Sequence, residues 1–297
     1  MAATASRTTA PYAISSHGSD DFGAEPWLYP GTPVDRSDPI DPGDLEPDSG
    51  RTLVLAVGSN ASRAVLRRKL ERFGVAPEVS FIRATVCGLR VGHSAHISVP
   101  GYIPAAPVAD PDAKCELVAS LLDSDGLAAI DATEPNYRRH ELSTERFPLE
   151  LDLGGQTMRP ATFQVYVSRR GVLAAPGEAP LSLTGQEELF GRLGECPGFA
   201  GLAEGTPSEV MRIFAGSAEL RDAARNAFGD GGWIARSVWS TGSTALHSTD
   251  PEQHSGDDHH TGRQPVDSER PGPAPVVAED DQHVGNRYQR LDEDQPG

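Results

Sequence analysis

Two stretches of this 297-residue chain carry residues able to do acid–base chemistry on a small molecule. One runs Leu127-Ala128-Ala129-Ile130-Asp131-Ala132-Thr133-Glu134-Pro135-Asn136-Tyr137-Arg138-Arg139. Leu127 to Ala132 reads as a short helix introduced by Asp123 or Ser124 as its cap. Pro135 forces that helix to stop, because the residue before a proline is pushed out of the α region. Glu134 is therefore expected at a helix exit, on a fixed bend, directly ahead of a strand. A carboxylate half-buried in a cleft there is suited to proton shuttling. The alternative pairs Glu134 with Arg138 or Arg139 at the surface.

The other stretch is Thr52 to Asn60. Thr52 to Val57 has the length and β-branched content of a buried strand, and it turns at Gly58-Ser59-Asn60 into a helix over Ala61 to Gly74. Ser62 is the expected cap, Leu66, Leu70 and Phe73 the buried face, and Gly74 the left-handed close. Such a turn offers backbone N–H groups and two small polar side chains at the positive end of a helix dipole. It could hold a carboxylate or a polarised carbonyl, or be an ordinary strand-to-helix turn.

The elements that must position these groups are mostly strands. Phe81 to Val91 reads as a strand continuing through Val99 to the turn Pro100-Gly101, and residues 102–113 as a loop. Cys115 to Leu122, Arg138 to Leu142, Phe147 to Leu153 and Ala161 to Ser168 read as further strands, with Gly154-Gly155 as a hairpin turn. Helices are expected over Gln186 to Leu193, Ser208 to Phe214 and Ala218 to Phe228, with Trp233 to Trp239 a last turn or strand. With two helices inserted early and midway, the order fits an α+β fold. A mixed sheet closed into a small β-barrel suits it better than regular βαβ winding, with a C-terminal helical extension packed against it. The domain expectation is an acidic arm at 1–50, a barrel at 51–182, a helical extension at 183–240 and an acidic tail at 241–297.

Charge supports that division. Residues 1–50 hold nine acids and two arginines, and residues 241–297 hold twelve acids and four arginines. The remainder of the net −17 is small, so the middle is nearly balanced. Both ends are rich in Pro, Gly, Ser and Asp and are expected to be disordered, although Trp27-Leu28-Tyr29 could dock on the core. This balance gives no support to nucleic-acid binding. Lysine occurs only at positions 69 and 114, against twenty-four arginines. Cys87, Cys115 and Cys196 show no CxxC spacing, which fits a reducing cytoplasm. Met1 to Ser16 lacks a signal-peptide pattern, and no window approaches the ~18 apolar residues of a membrane span. The expectation is a soluble cytoplasmic protein of open oligomeric state.

Other chemistries are weaker. His93, His96 and His140 with Cys87 or Cys115 could be imagined around a metal, but His93 and His96 point to opposite faces of one extended strand. Asp257-Asp258-His259-His260 lies in the acidic tail, without a frame to fix its geometry. Gly-x-Ser-x-Gly is absent, and no cysteine has an evident activating setting.

Taken together, the two stretches resemble the γ-glutamylcyclotransferase-like family. Its loop wording Tyr-Gly-Ser-Asn stands here as Val57-Gly58-Ser59-Asn60. Its Leu-Asp-x-x-Glu-Gly motif, with a Tyr soon after, stands as Ile130-Asp131-Ala132-Thr133-Glu134-Pro135-Asn136-Tyr137. The likeness covers about residues 51–168, and departs from the family at Val57 and Pro135. It implies a barrel in which Glu134, the catalytic acid/base, faces the Gly58–Asn60 loop across a pocket. Val57, Gly58, Ser59, Asn60 and Tyr137 would bind a small substrate with a γ-glutamyl-like group. The implied reaction is intramolecular acyl transfer releasing 5-oxoproline and an amine, with no metal or cofactor. The rival expectation is a catalytically inactive binding or regulatory module on the same fold.

Overall fold

The computed structural model describes residues 8–9, 21–236 and 239. The expected acidic tail at 241–297, with Asp257-Asp258-His259-His260, lies outside the described residues, as do most of residues 1–20. In chain order the elements are β1 (Thr8–Thr9), β2 (Thr52–Ala56), α1 (Arg63–Arg72), β3 (Ser80–His93), β4 (Ala105–Leu122), α2 (Ser124–Thr133), β5 (Tyr137–Ser143), β6 (Leu149–Asp152), β7 (Thr157–Met158), β8 (Thr162–Ser168), β9 (Val172–Leu173), α3 (Gln186–Leu193), α4 (Pro207–Gly216), α5 (Ala218–Asp230) and β10 (Ile234–Ala235).

The fold is α+β, built on a mixed sheet ordered β5-β8-β2-β4-β3-β6-β7, with β1 beside β4. The β2–β8 and β1–β4 pairs are parallel and the others antiparallel. Among the described residues β5 and β7 are the two ends of the pairing, so the closure expected of a barrel is not part of the hydrogen-bonded order. No helix among the described residues is long and apolar enough to cross a membrane.

Alternation along β2 sorts two cores. Val54 and Ala56 face Leu66 and Leu70 of α1 and Ala129 and Ile130 of α2. Leu53, Leu55 and Val57 face the opposite cluster, with Ile82, Leu117, Phe163 and Val165. Leu66 and Leu70 are 1% and 0% exposed, and burying each such side chain stabilises by about 1.5–3 kcal/mol. A third cluster joins Leu189, Phe190, Met211, Phe214 and Phe228 of α3, α4 and α5 to Ile103 and Leu173.

Four expectations need correction. Residues 102–113 are not all loop, because β4 starts at Ala105 and pairs with β3 through Val91–Pro107 and Leu89–Ala109. Pro111 is tolerated because residues 110–113 sit opposite the single Gly88 at a register shift, where ladder bonds are interrupted anyway. The strand expected to run on to Val99 stops at His93, beyond which Ser94 makes only an isolated bridge to Val172. Phe73 does not line the buried face of α1: the helix ends at Arg72, and Phe73 is its C-cap and is 46% exposed.

The fourth concerns the arm. Residues 21–50 lie on the core, with Phe22 and Tyr29 buried and Trp27 under the Arg212 guanidinium at 4.6 Å. Val34 N–H donates to the Ala61 carbonyl at 3.0 Å, and Asp38 N–H to that of Phe81 at 2.8 Å. Asp38 also takes both of its carboxylate oxygens to Arg63, at 2.7 and 2.8 Å. A few aromatic anchors and specific bonds thus order a segment whose average composition is that of a disordered chain.

Candidate functional site

Glu134 is placed by α2. Asp123 caps the helix by accepting from Gly126 N–H at 2.8 Å, and buried Ala129 and Ile130 fix its roll against α1. The chain leaves the α region at Glu134, whose N–H donates to the Asp131 carbonyl at 3.2 Å. The bend before Pro135 is where the proline requires it.

From that exit the carboxylate turns toward the β2–α1 connection. Glu134 Oε1 accepts from Asn60 Nδ2 at 3.1 Å and from Lys69 Nζ at 2.7 Å. Lys69 Nζ also donates to Asn60 Oδ1 at 2.7 Å, closing a triangle. The Lys69 and Glu134 side chains are only 21% and 15% exposed, so both partners are largely shielded from water. Glu134 Oε2 has no hydrogen-bond partner among the described residues. The surface alternative does not occur: Arg139 binds both oxygens of Asp131 at 3.0 Å and also reaches Gln164.

Beside this triangle lies the turn. Gly58 precedes a single 3-10 turn over Ser59–Ala61, and Ser62 then caps α1 by accepting from Val65 N–H at 3.4 Å. The N–H groups of Ser59 and Asn60 donate to nothing among the described residues, as expected at the start of a helical turn. Val57 is buried in the core with Leu55 and Ala105, so its side chain belongs to the packing.

Tyr137 starts β5 and donates its hydroxyl to the Ala105 carbonyl at 2.8 Å. Burial, then the negative charge of Glu134, pushes the Tyr137 hydroxyl well above the usual phenol range. Tyr102 is pushed up by the same two causes in the same order. Both phenols therefore remain protonated near the acid. At Asp131 burial works upward, but the bonds from Arg139 and Tyr166 hold the carboxyl below its ordinary value.

A cavity of about 260 Å³ opens beside the acid, bordered by Glu134, Tyr137, Arg138, Tyr166 and Arg169. Arg169 Nε is tied to the Tyr137 carbonyl at 2.8 Å. Arg138 is paired with Val167 in the β5–β8 ladder, and its guanidinium makes no hydrogen bond or ion pair among the described residues.

The histidines are separated by their partners. His93 Nε2 accepts from Thr184 N–H at 3.0 Å, whereas His96 Nδ1 meets Ser94 Oγ at 2.7 Å. His140 is on β5, paired with Val165 of β8.

Lys69 was not among the residues the motifs singled out. Its signal in the sequence was rarity, as one of two lysines in a chain that otherwise uses arginine. Tyr29 was visible only as part of an apolar cluster. Its hydroxyl accepts from Ala105 N–H at 2.8 Å, on the same residue whose carbonyl holds Tyr137.

No protein-family model and no curated protein matches the chain. Among solved structures it is similar to a gamma-glutamyl cyclotransferase at 15% identity, over 59% of this chain and 99% of that one, with a TM-score of 0.31. It is similar to a gamma-glutamyl cyclotransferase specific to glutathione from yeast at 12% identity, over 56% and 96%, with a TM-score of 0.28. A protein of Arabidopsis thaliana solved in solution is similar at 16% identity, over 46% of this chain and 66% of that one, with a TM-score of 0.29. The structural neighbours of the chain thus include gamma-glutamyl cyclotransferases, at identities that leave the chemistry of the site to its own geometry.

Proposed function

We propose that this site performs an intramolecular acyl transfer on a γ-glutamyl amine, releasing 5-oxoproline and the free amine. The observation that carries the reading is the asymmetry of Glu134: Oε1 is anchored by Asn60 and Lys69, and Oε2 is unengaged among the described residues. An acid/base group must be both aimed and available, and this arrangement supplies both.

In this reading Glu134 Oε2 receives a proton from the substrate's α-ammonium. The freed amine attacks the γ-carbonyl carbon of the same molecule, forming the ring C–N bond. Because attacker and target are tethered, orientation matters more than an activated protein nucleophile. The oxyanion, or the substrate's own carboxylate, is held by the N–H groups of Ser59 and Asn60 with Gly58. When the intermediate collapses, the original γ-amide C–N bond breaks and Glu134 gives its proton to the leaving nitrogen. The second proton of the ring nitrogen passes through the same carboxylate to the departing amine, which leaves as an ammonium. Tyr137 borders the same cavity as Glu134. The steps use only residues of this chain. The free Cys87, Cys115 and Cys196 support a reducing, cytoplasmic setting within the same proposal.

One observation favours the rival, a binding module without turnover. The Lys69 ammonium already sits against the Glu134 carboxylate, as a purely structural ion pair would. Incubating the full chain with a panel of γ-glutamyl amines and γ-glutamyl amino acids, and measuring 5-oxoproline, decides between them. Release of 5-oxoproline supports the enzyme; binding without release across the panel supports the module.

A further inference from the structure

The turn that carries Ser59 and Asn60 is held from outside the sheet by the segment that precedes it. Tyr29 stands at one end of the turn: a Cβ added to Gly58 would lie 2.3 Å from the Tyr29 hydroxyl oxygen and 3.3 Å from Ala105 Cβ. Val34 stands at the other end, its N–H donating to the Ala61 carbonyl at 3.0 Å. The chain from 29 to 34 therefore brackets Ser59 and Asn60, the residues whose N–H groups the proposed reaction uses.

Tyr29 is itself fixed. It is 5% exposed, and its ring stacks on Tyr102 with centroids 4.1 Å apart and planes 14° from parallel. Phe22 meets both rings edge-on, at 5.5 and 5.6 Å. The hydroxyl accepts from Ala105 N–H at 2.8 Å, so one oxygen links the first residue of β4 to the turn after β2. Tyr137 donates to the Ala105 carbonyl at 2.8 Å from the Glu134 side of the site. The two tyrosines thus tie the turn and the acid's strand to one peptide segment.

We propose that Tyr29 is a positioning residue of the site, and that residues 29–34 are a strap that sets the Gly58–Asn60 turn in its ligand-holding position. Gly58 is then required by the strap: its φ of −146° is open to any residue, but a side chain there would occupy the place of the tyrosine oxygen. The strap acts at the turn, and through it on ligand binding and on the Asn60 contact that aims Glu134. This inference rests on the proposed function.

The test uses the full chain and three proteins: wild type, Tyr29→Phe and Trp27→Ala. Tyr29→Phe keeps the aromatic stack and removes the oxygen. Trp27→Ala loosens the same segment by removing its contact with Arg212, away from the turn. The probes are 5-oxoproline, followed through the amide NMR shifts of Ser59 and Asn60, and γ-glutamyl-alanine turnover, both read well below each protein's Tm. Tyr29→Phe should weaken 5-oxoproline binding and lower kcat/KM, each by roughly tenfold, the scale of one lost buried hydrogen bond. Trp27→Ala should lose stability and keep both constants near wild type. Unchanged binding in Tyr29→Phe, or the same change in Trp27→Ala, overturns the strap's role alone. A wild-type protein that neither binds 5-oxoproline nor releases it overturns the proposed reaction, and this inference with it.

Discussion

Lys69 Nζ stands 2.7 Å from Glu134 Oε1, although the two residues lie 65 positions apart and on different helical elements. The contact joins the end of α1 to the exit of α2 and turns one carboxylate oxygen toward Asn60. It is largely though not wholly shielded, with the two side chains 21% and 15% exposed. Removing one member of such a pair leaves the other's charge under-compensated. Lys69→Met should therefore lower unfolding stability by about 1–2 kcal/mol, between the values for exposed and fully buried pairs. Urea denaturation of the two proteins measures this directly; equal midpoints would mean that the pair contributes nothing to folding.

Gly58 makes a steric prediction. Alanine there places its Cβ 2.3 Å from the Tyr29 oxygen, so Gly58→Ala should cost about 1–3 kcal/mol, as overpacked interiors do. In the Tyr29→Phe background the obstructing oxygen is gone, and the cost of Gly58→Ala should shrink. The double-mutant cycle reads that coupling, and strict additivity would contradict the close approach.

Two buried histidines govern acid stability. Burial pushes His93 down to about 3 against an opposing backbone bond at Ser182, and pushes His96 to about 3 with help from Arg170 and Arg225. Below the ordinary histidine pKa the unfolded chain binds these protons and the folded chain does not. Stability is then fully present above about pH 6.5 and falls as pH drops toward 3, by up to ~1.4 kcal/mol per pH unit for each group. Thermal unfolding from pH 7.5 to 4.5 should show Tm flat above 6.5 and declining below. His93→Gln, whose amide oxygen can still accept from Thr184 N–H, should roughly halve that decline, the rest being the share of His96.

Arg138 has an unused guanidinium at the rim of the 260 Å³ cavity beside Glu134. A leaving amine that bears a carboxylate would meet it. Arg138→Ala should raise KM by roughly tenfold for γ-glutamyl amino acids and leave KM for uncharged γ-glutamyl amines unchanged, the scale of one charge-assisted bond. Parallel steady-state assays on the two substrate types separate these outcomes.

Local signals carried much of this structure. The caps at Ser62 and Asp123, the left-handed Gly74 and the bend before Pro135 are each dictated by a residue and its near neighbours. Asn60 and Glu134 were legible as candidates because short motifs contain them, though their contact spans 74 residues. Lys69 was not, since helical periodicity speaks for Leu66 and Leu70 and is silent on what a flanking cation meets. The start of β4 was hidden by Pro104, Pro107 and Pro111, which local rules read as loop until β3 and its bulge supply a partner. Tyr29 was hidden by its acidic, proline-rich surroundings, whose average conceals three aromatic anchors.

The central claim is that Glu134 moves the proton. Its most direct measurement compares wild type and Glu134→Gln, both confirmed as folded by their thermal transitions, for 5-oxoproline release from γ-glutamyl-alanine. Gln keeps an oxygen for Asn60 and Lys69 but cannot accept the ammonium proton, so kcat should fall by roughly 10²–10⁴-fold while 5-oxoproline still binds. Release by Glu134→Gln at the wild-type rate would contradict the account.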